Sequence, residues 1–398
     1  MPSDSIAEKT DARGVIRFDE ARAFLTDEAL PFWSSQGIYP NGCFVERLDL
    51  AGKPVDPGFT RVRVQARQIY VFSHAEAAGV FSQPEVGARA ADFFIRSAWL
   101  GADRGWAKLI RSDGALIDGS SDLYEVSFAL FALAWRYRVA PEPLHLEIAH
   151  ATLDFLARKM KHPLGGYHND AEQSSPRLQN PHMHLTEAMN AWFEASGDRR
   201  FLHVAAELVE LMESRLCDPE TGALSESFNS DWTRVEGAEG DIVEPGHQFE
   251  WAWIIGHFGR LSGSLRAPLM RRLIGSALRS GFDEATGLTV DQVSRDGRLI
   301  AGSHRLWPQT EALKACLSAA EFLGEPAPER IAGVLAAILD RFLRAGPVPG
   351  TWLDHYRSDG TLLADKVPAT SLYHIVLAFL ELLRLRGVLT ADSGASRD

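Results

Sequence analysis

Apolar stretches of helical length recur along this chain, and each carries one polar residue near its start: Arg67, Glu125, Glu187, Glu250, Glu311 and His374. The intervals between these residues are 58, 62, 63, 61 and 63 positions. The stretches (AMNAWFEA, WAWIIGHF, EALKACLSAA, IVLAFLELL) are apolar on all sides and rich in small residues. They alternate with helical stretches that keep Arg, Lys and Glu on one face, such as DRRFLHVAAELVELMESRL and SLRAPLMRRLIGSALRSG. Helices apolar all round belong inside a fold and amphipathic ones outside. A polar residue at the same depth of six buried helices is costly unless those helix ends meet at a wet cavity. The pattern therefore predicts a ring of six inner helices with a polar pocket at one end.

A second signal shares the period. Glycine followed by apolar or aromatic residues recurs at Gly42, Gly105, Gly166, Gly222, Gly287 and Gly350, at intervals of 63, 61, 56, 65 and 63. Several of these glycines open alternating segments with a turn inside (GLTVDQVSRDGRLI, GTWLDHYRSDGTLLA, GALSESFNSDW), which read as short hairpins. The repeating unit is helix, loop, helix, hairpin, and six copies fit the chain. This predicts an all-α fold, an (α/α)6 barrel of six inner and six outer helices with short β-hairpins at one end. It would form a single catalytic domain over residues 15–388, between flexible segments at 1–14 and 389–398. An open helical solenoid is the competing arrangement.

Among 398 residues the formal net charge is −12, which disfavours nucleic acid and anionic membranes as partners. The three cysteines, Cys43, Cys217 and Cys316, are far apart and match no zinc or disulfide spacing. With a polar start that lacks the layout of a signal peptide, they point to the cytoplasm. Glycine-rich nucleotide loops and the Gly-x-Ser-x-Gly elbow are missing, which removes most support for redox, nucleotide-driven and serine-hydrolase chemistry.

Candidate chemistry concentrates where the hairpins meet the inner helices. Pro245 and Gly246 place His247 at a helix start, with Glu250 and Trp251 on the same face. His184 and His374 open two further inner helices. One such histidine alone reads as a cap or a satisfied core group; three at matching depth read as a site. His182 and His184 point about 200° apart on a helix, so they cannot share a metal from there. Trp106, Tyr167, Trp307, Trp352 and Tyr373 suit either sugar stacking or rim packing. Arg67, early in an apolar helix, needs a partner such as sugar hydroxyls or a glutamate.

Five segments in this order, RVRVQARQIYVFS, NPHMHLTEA, EPGHQFEWAW, RLWPQTEA and VPATSLYHI, resemble the N-acylglucosamine 2-epimerase superfamily. The likeness runs from about residue 18 to 386, and the wording is similar to its mannose isomerase branch. The resemblance implies an (α/α)6 barrel that uses neither metal nor redox cofactor. It implies His247 and His374 as acid and base, and Glu250 as the carboxylate paired with the catalytic histidine. It also implies Arg67 and His184 as substrate-binding residues, with Trp307 and Gln309 in a pocket-lining segment. Asn180, Glu187 and Trp352 complete the expected substrate-binding set. The expected reaction is aldose–ketose isomerisation of a monosaccharide, mannose to fructose, through an enediolate. His374 would move the proton between C2 and C1. The alternatives are a 2-epimerase of the same superfamily and a glycoside hydrolase that uses two of Glu125, Glu187, Glu250 and Glu311. Arg61, Arg63, Arg177, Arg234 and Arg305 are candidates to read an anionic group on the sugar. Monomer and homo-oligomer are both open.

Overall fold

The computed structural model describes residues 15–391 except Ser175. Six inner helices, numbered in chain order, span Val62–Ala77, Leu123–Val139, Gln179–Ser196, Pro245–Ser262, Leu306–Ser318 and Ser371–Arg384. Six outer helices, likewise numbered, cover 18–35, Pro84–Ala98, 143–160, 199–216, Ala267–Gly281 and 328–343. Each inner helix packs beside the next, and the sixth returns to the first. The strand that enters the sixth inner helix pairs with the first hairpin, Arg47 opposite Pro368 and Leu48 opposite Val367. The array is a closed (α/α)6 barrel, which excludes the open solenoid.

The glycine period has a steric cause. Gly222 sits at φ +76°, and a Cβ there would stand 2.5 Å from the Arg272 carbonyl on the fifth outer helix. Gly350 repeats this at φ +83° against the Glu28 carbonyl of the first outer helix, at 2.6 Å. Gly42 and Gly287 do the same against Arg89 and Gly333, so four of the six turns press onto the backbone of the next outer helix, while Gly105 and Gly166 meet side chains instead.

Two latches then tie hairpins to inner helices. Gln65 and Gln309, at the fourth position of their helices, bind both backbone polar groups of Phe44 and of Thr289. Gln248 binds the Gly222 carbonyl, and His182 accepts from Tyr167 N while donating to Leu178 O. The second latch is an acid four residues after the glycine. Glu46, Glu226 and Asp291 accept the backbone N–H of Arg61, Glu244 and Arg305, the residues just before three inner helices.

Three expectations change here. Gln309 is fully buried in its latch and does not line the cavity. Trp352 is also fully buried, stacked on Trp33 at 5.3 Å, because its turn carries it against the first outer helix. The expected tail from residue 389 begins inside a short helix, Arg386–Ala391, with Leu389 buried. Residues 1–14 and 392–398 lie outside the described residues. Among the described residues, no helix is long and apolar enough to cross a membrane.

Candidate active site

At the hairpin end a cavity of about 670 Å³ opens between the strands and the first turns of the inner helices. Arg67, Asn180, His184, His247, Glu250, Trp307 and His374 all line it. These seven are drawn from five inner helices, which is what a polar residue at common depth in a closed ring produces.

His374 is buried on the sixth inner helix, and its Nδ1 donates to Glu311 Oε1 at 2.8 Å. That bond fixes the tautomer and leaves Nε2 as a free lone pair. Burial pushes the imidazole down to about 4, against the pull of Glu311, so His374 is neutral at physiological pH.

His247 is the opposite case. Its Nδ1 lies 3.0 Å from Glu226 Oε1 and 3.6 Å from Glu244 Oε2. Burial alone would lower its pKa, but Glu226, Glu244 and Glu250 together raise it to about 9. His247 is therefore an imidazolium at neutral pH. The Asn180 Nδ2 lies 3.2 Å from Nε2 and its Oδ1 has no partner; the imidazolium requires this amide turned over, so that Oδ1 accepts the second N–H. Trp307 lies against both histidines, 4.8 Å from His247 and 5.9 Å from His374 between ring centres and tilted to each, and all three line the one cavity.

The carboxylate on His247 is thus Glu226, and the expected pairing with Glu250 is not formed. Glu250 points into the cavity with Oε1 unpartnered and 4.0 Å from His184 Nδ1. Burial first, then Glu311 beside it, holds this carboxyl well above the usual range. A signal for Glu226 existed in the sequence: an acid stands four residues after five of the six periodic glycines, at Glu46, Asp170, Glu226, Asp291 and Asp354.

Arg67 donates to Thr370 Oγ1 and, at 2.9 Å, to Tyr124 OH, and it lies 4.1 Å over the Phe128 ring. Its Nε has no partner. His184 donates from Nδ1 to Glu187 Oε2 at 3.1 Å; burial and then Arg67 push it well below its usual range. Its Nε2 is therefore an acceptor facing the cavity. Glu187 does not line this cavity. It sits beneath, accepting the Tyr373 hydroxyl at 2.6 and 2.7 Å, and positions His184 from below.

The other ring glutamates are likewise committed. Glu125 pairs with Arg63, and Glu311 holds His374 and Lys314. Neither lines the cavity, which removes two of the four carboxylates a glycosidase reading would draw on; Glu187 is a third. His184, Glu187 and Glu250, and again Glu250, Glu311 and His374, bring donor atoms within 4.8 Å of one another. The Lys314 ammonium, 2.6 Å from Glu311, supplies positive charge in that same cluster. Of the five arginines expected to read an anion, Arg61 and Arg305 line the cavity. Arg63 is tied to Glu125, and Arg177 is buried against His168.

The profile of the N-acylglucosamine 2-epimerase family matches residues 42–378. The chain belongs to that family. Among its relatives, "Mannose-6-phosphate isomerase" of Rhizobium meliloti (strain 1021) is 36% identical over 374 residues, spanning 91% of this chain and 96% of the relative. A solved cellobiose 2-epimerase from Spirochaeta thermophila DSM 6192 superposes with a TM-score of 0.84 at 22% identity, over 97% of this chain and 100% of its own. A solved D-mannose isomerase superposes with a TM-score of 0.79 at 18% identity, over 96% of this chain and 100% of its own. At these identities the two structures establish the fold. The family match covers every residue that lines the cavity.

Proposed function

We propose that the protein is an aldose–ketose isomerase that converts D-mannose to D-fructose through an enediolate. The observation that carries this is the pair of histidines over Trp307, one neutral with its lone pair toward the cavity, the other held as an imidazolium. Groups whose surroundings push their pKa values apart divide into base and acid. His374 Nε2 takes the proton from C2 of the open-chain sugar and returns it to C1. His247 gives a proton to the carbonyl oxygen and recovers one from the neighbouring hydroxyl. Arg67 and the Glu250 carboxyl, whose protonated form burial favours, stabilise the charge that develops on the oxygens. His184 Nε2 accepts from a sugar hydroxyl, and Trp307 offers its face to the ring. The named isomerase relative supports return of the proton to C1. Three buried free thiols suit a reducing compartment, the cytoplasm.

The test is proton NMR with D-mannose in deuterated water after EDTA treatment. Fructose labelled at C1 is the expected product. Glucose without fructose would make the protein a 2-epimerase, and cleavage of an aryl mannoside a hydrolase. His374→Ala that still exchanges the C2 hydrogen would overturn the assigned base. One further reading of the substrate has support: a 6-phosphate, suggested by the Rhizobium relative's name and by Arg305 and Lys366 on the cavity wall. A kcat/KM for mannose 6-phosphate far above that for mannose, lost in Arg305→Ala, would establish it.

A further inference from the structure

Lysine is almost never fully buried without a partner. Lys314 lies on the fifth inner helix, one turn beyond Glu311, with no exposure to solvent. Its Nζ is 2.6 Å from Glu311 Oε2 and 4.4 Å from the centre of the Trp253 ring. It does not line the cavity and cannot touch a sugar there. The other oxygen of Glu311 accepts the His374 Nδ1 proton. One carboxylate is thus clamped between an internal cation and the base of the reaction.

We propose that Lys314 is a positioning residue for His374: a built-in cation below the cavity floor that fixes Glu311 as a carboxylate and keeps a second proton off the imidazole. This rests on the role given to His374 above. The argument is one of charge balance. Glu187, Glu250 and Glu311 converge from the third, fourth and fifth inner helices, and each interacts with Lys314. His374 faces Glu311 and Lys314 from the fifth helix, Arg67 from the first and Glu187 from the third, with Tyr373 beside it on its own helix. Glu250 lies in reach of both His374 and Glu311, and Trp307 separates His374 from His247. Lys314 and Arg67 oppose a charge on His374, whereas Glu311 favours one. Without the ammonium, the three acids would draw one more proton into the cluster; the His374 imidazole, bonded to the same carboxylate as Lys314, is one acceptor for it, and His184 on Glu187 is the other imidazole there. A base that picks up that proton can no longer take one from C2. If Lys314 served only to let the carboxyls fold inside, His374 would titrate alike with or without it.

Two readouts separate these cases. In Lys314→Met, nitrogen NMR of labelled imidazoles should show His374 titrating about one pH unit or more higher than in the wild type. The acidic limb of the kcat/KM profile should move up with it, so that activity at pH 5 falls at least about tenfold more than at pH 8. A uniform loss across pH with His374 titrating unchanged would overturn the proposal. Should Lys314→Met fail to fold, the double variant Lys314→Met/Glu311→Gln removes both charges and is expected to fold. It should lose the fixed Nδ1–H tautomer and lower kcat with little change in KM; a wild-type tautomer and kcat there would equally sink the idea. The NMR titration needs no substrate. Failure of the mannose assay in the wild type would count against the proposed function alone, leaving the Lys314 test intact.

Discussion

What each Nδ1 faces sets the two histidines apart. His374 donates to one carboxylate that an ammonium already neutralises; His247 meets Glu226 and Glu244 with no such counter-charge within bonding distance. The proposed reaction needs His374 unprotonated and His247 protonated. In the free enzyme, kcat/KM should therefore fall below about pH 4, as His374 charges, and above about pH 9, as His247 discharges. Glu226→Gln removes the strongest group raising His247. Its alkaline limb should move down, and kcat/KM at pH 8 should drop about 10²-fold, in the range expected for losing a general acid. Glu250→Gln, which breaks no hydrogen bond to His247, should leave the alkaline limb close to its wild-type position. If Glu250→Gln moves that limb and Glu226→Gln does not, the pairing read from the sequence is the right one after all. The expectation placed the carboxylate by helical spacing, three positions after His247. The fold instead supplies it from the preceding hairpin, where Glu226 already latches Glu244 N at the helix start. Spacing along one helix reveals which side chains share a face. It cannot reveal which neighbouring hairpin reaches across to them.

At the scale of the element, much of the architecture was legible because the repeat is steric. Four of the six glycines, Gly42, Gly222, Gly287 and Gly350, mark turns that press on a neighbouring backbone, and three of the six polar positions, Arg67, Glu250 and His374, line one cavity. The individual roles were less legible, because one position serves several purposes around the ring. Gln309 reads as a cavity residue by its neighbourhood, yet it does for Thr289 what Gln65 does for Phe44. His182 does the same for Tyr167, which explains a fully buried histidine beside the site that takes no part in it. His182→Gln should therefore fold and keep kcat. It should also resist acid better. Burial lowers His182 to about 4 in the folded state, against the 6.5 of an ordinary histidine, so the unfolded chain binds its proton first. That linkage removes stability as pH falls from about 6.5 to about 4, and glutamine abolishes it. The melting temperature of His182→Gln should thus fall less than that of the wild type between pH 7 and pH 4. An equal or larger fall would show that the glutamine latch does not transfer to this repeat.

On the scale of the whole molecule, the site depends on the ring being closed, since it spans the seam where the chain's two ends meet. Arg67 stands on the first inner helix and His374 on the sixth. Arg67 reaches over the seam to Thr370, and Gln68 Nε2 donates to Ala369 O at 2.7 Å. The strand pairing of Arg47 with Pro368 and the stack of Trp33 on Trp352 hold the same junction from outside. Trp352 was expected to hold sugar, and its burial gives it this other task. Trp352→Ala should cost about 3–5 kcal/mol, the usual range for emptying a buried tryptophan site. The manner of the loss discriminates between architectures. In an open array, terminal units fray while the centre persists, so fluorescence, circular dichroism and activity would melt apart. In a closed barrel whose substrate contacts straddle the seam, opening it dismantles the site and the core together. The three signals of Trp352→Ala should then fall at one shared, lowered temperature. Below that temperature, a loosened Arg67 should appear as a lowered kcat/KM, because the role proposed for Arg67 includes both holding the sugar and stabilising charge on its oxygens. Separate melts, or an unchanged kcat/KM, would mean that the seam does not hold the site together.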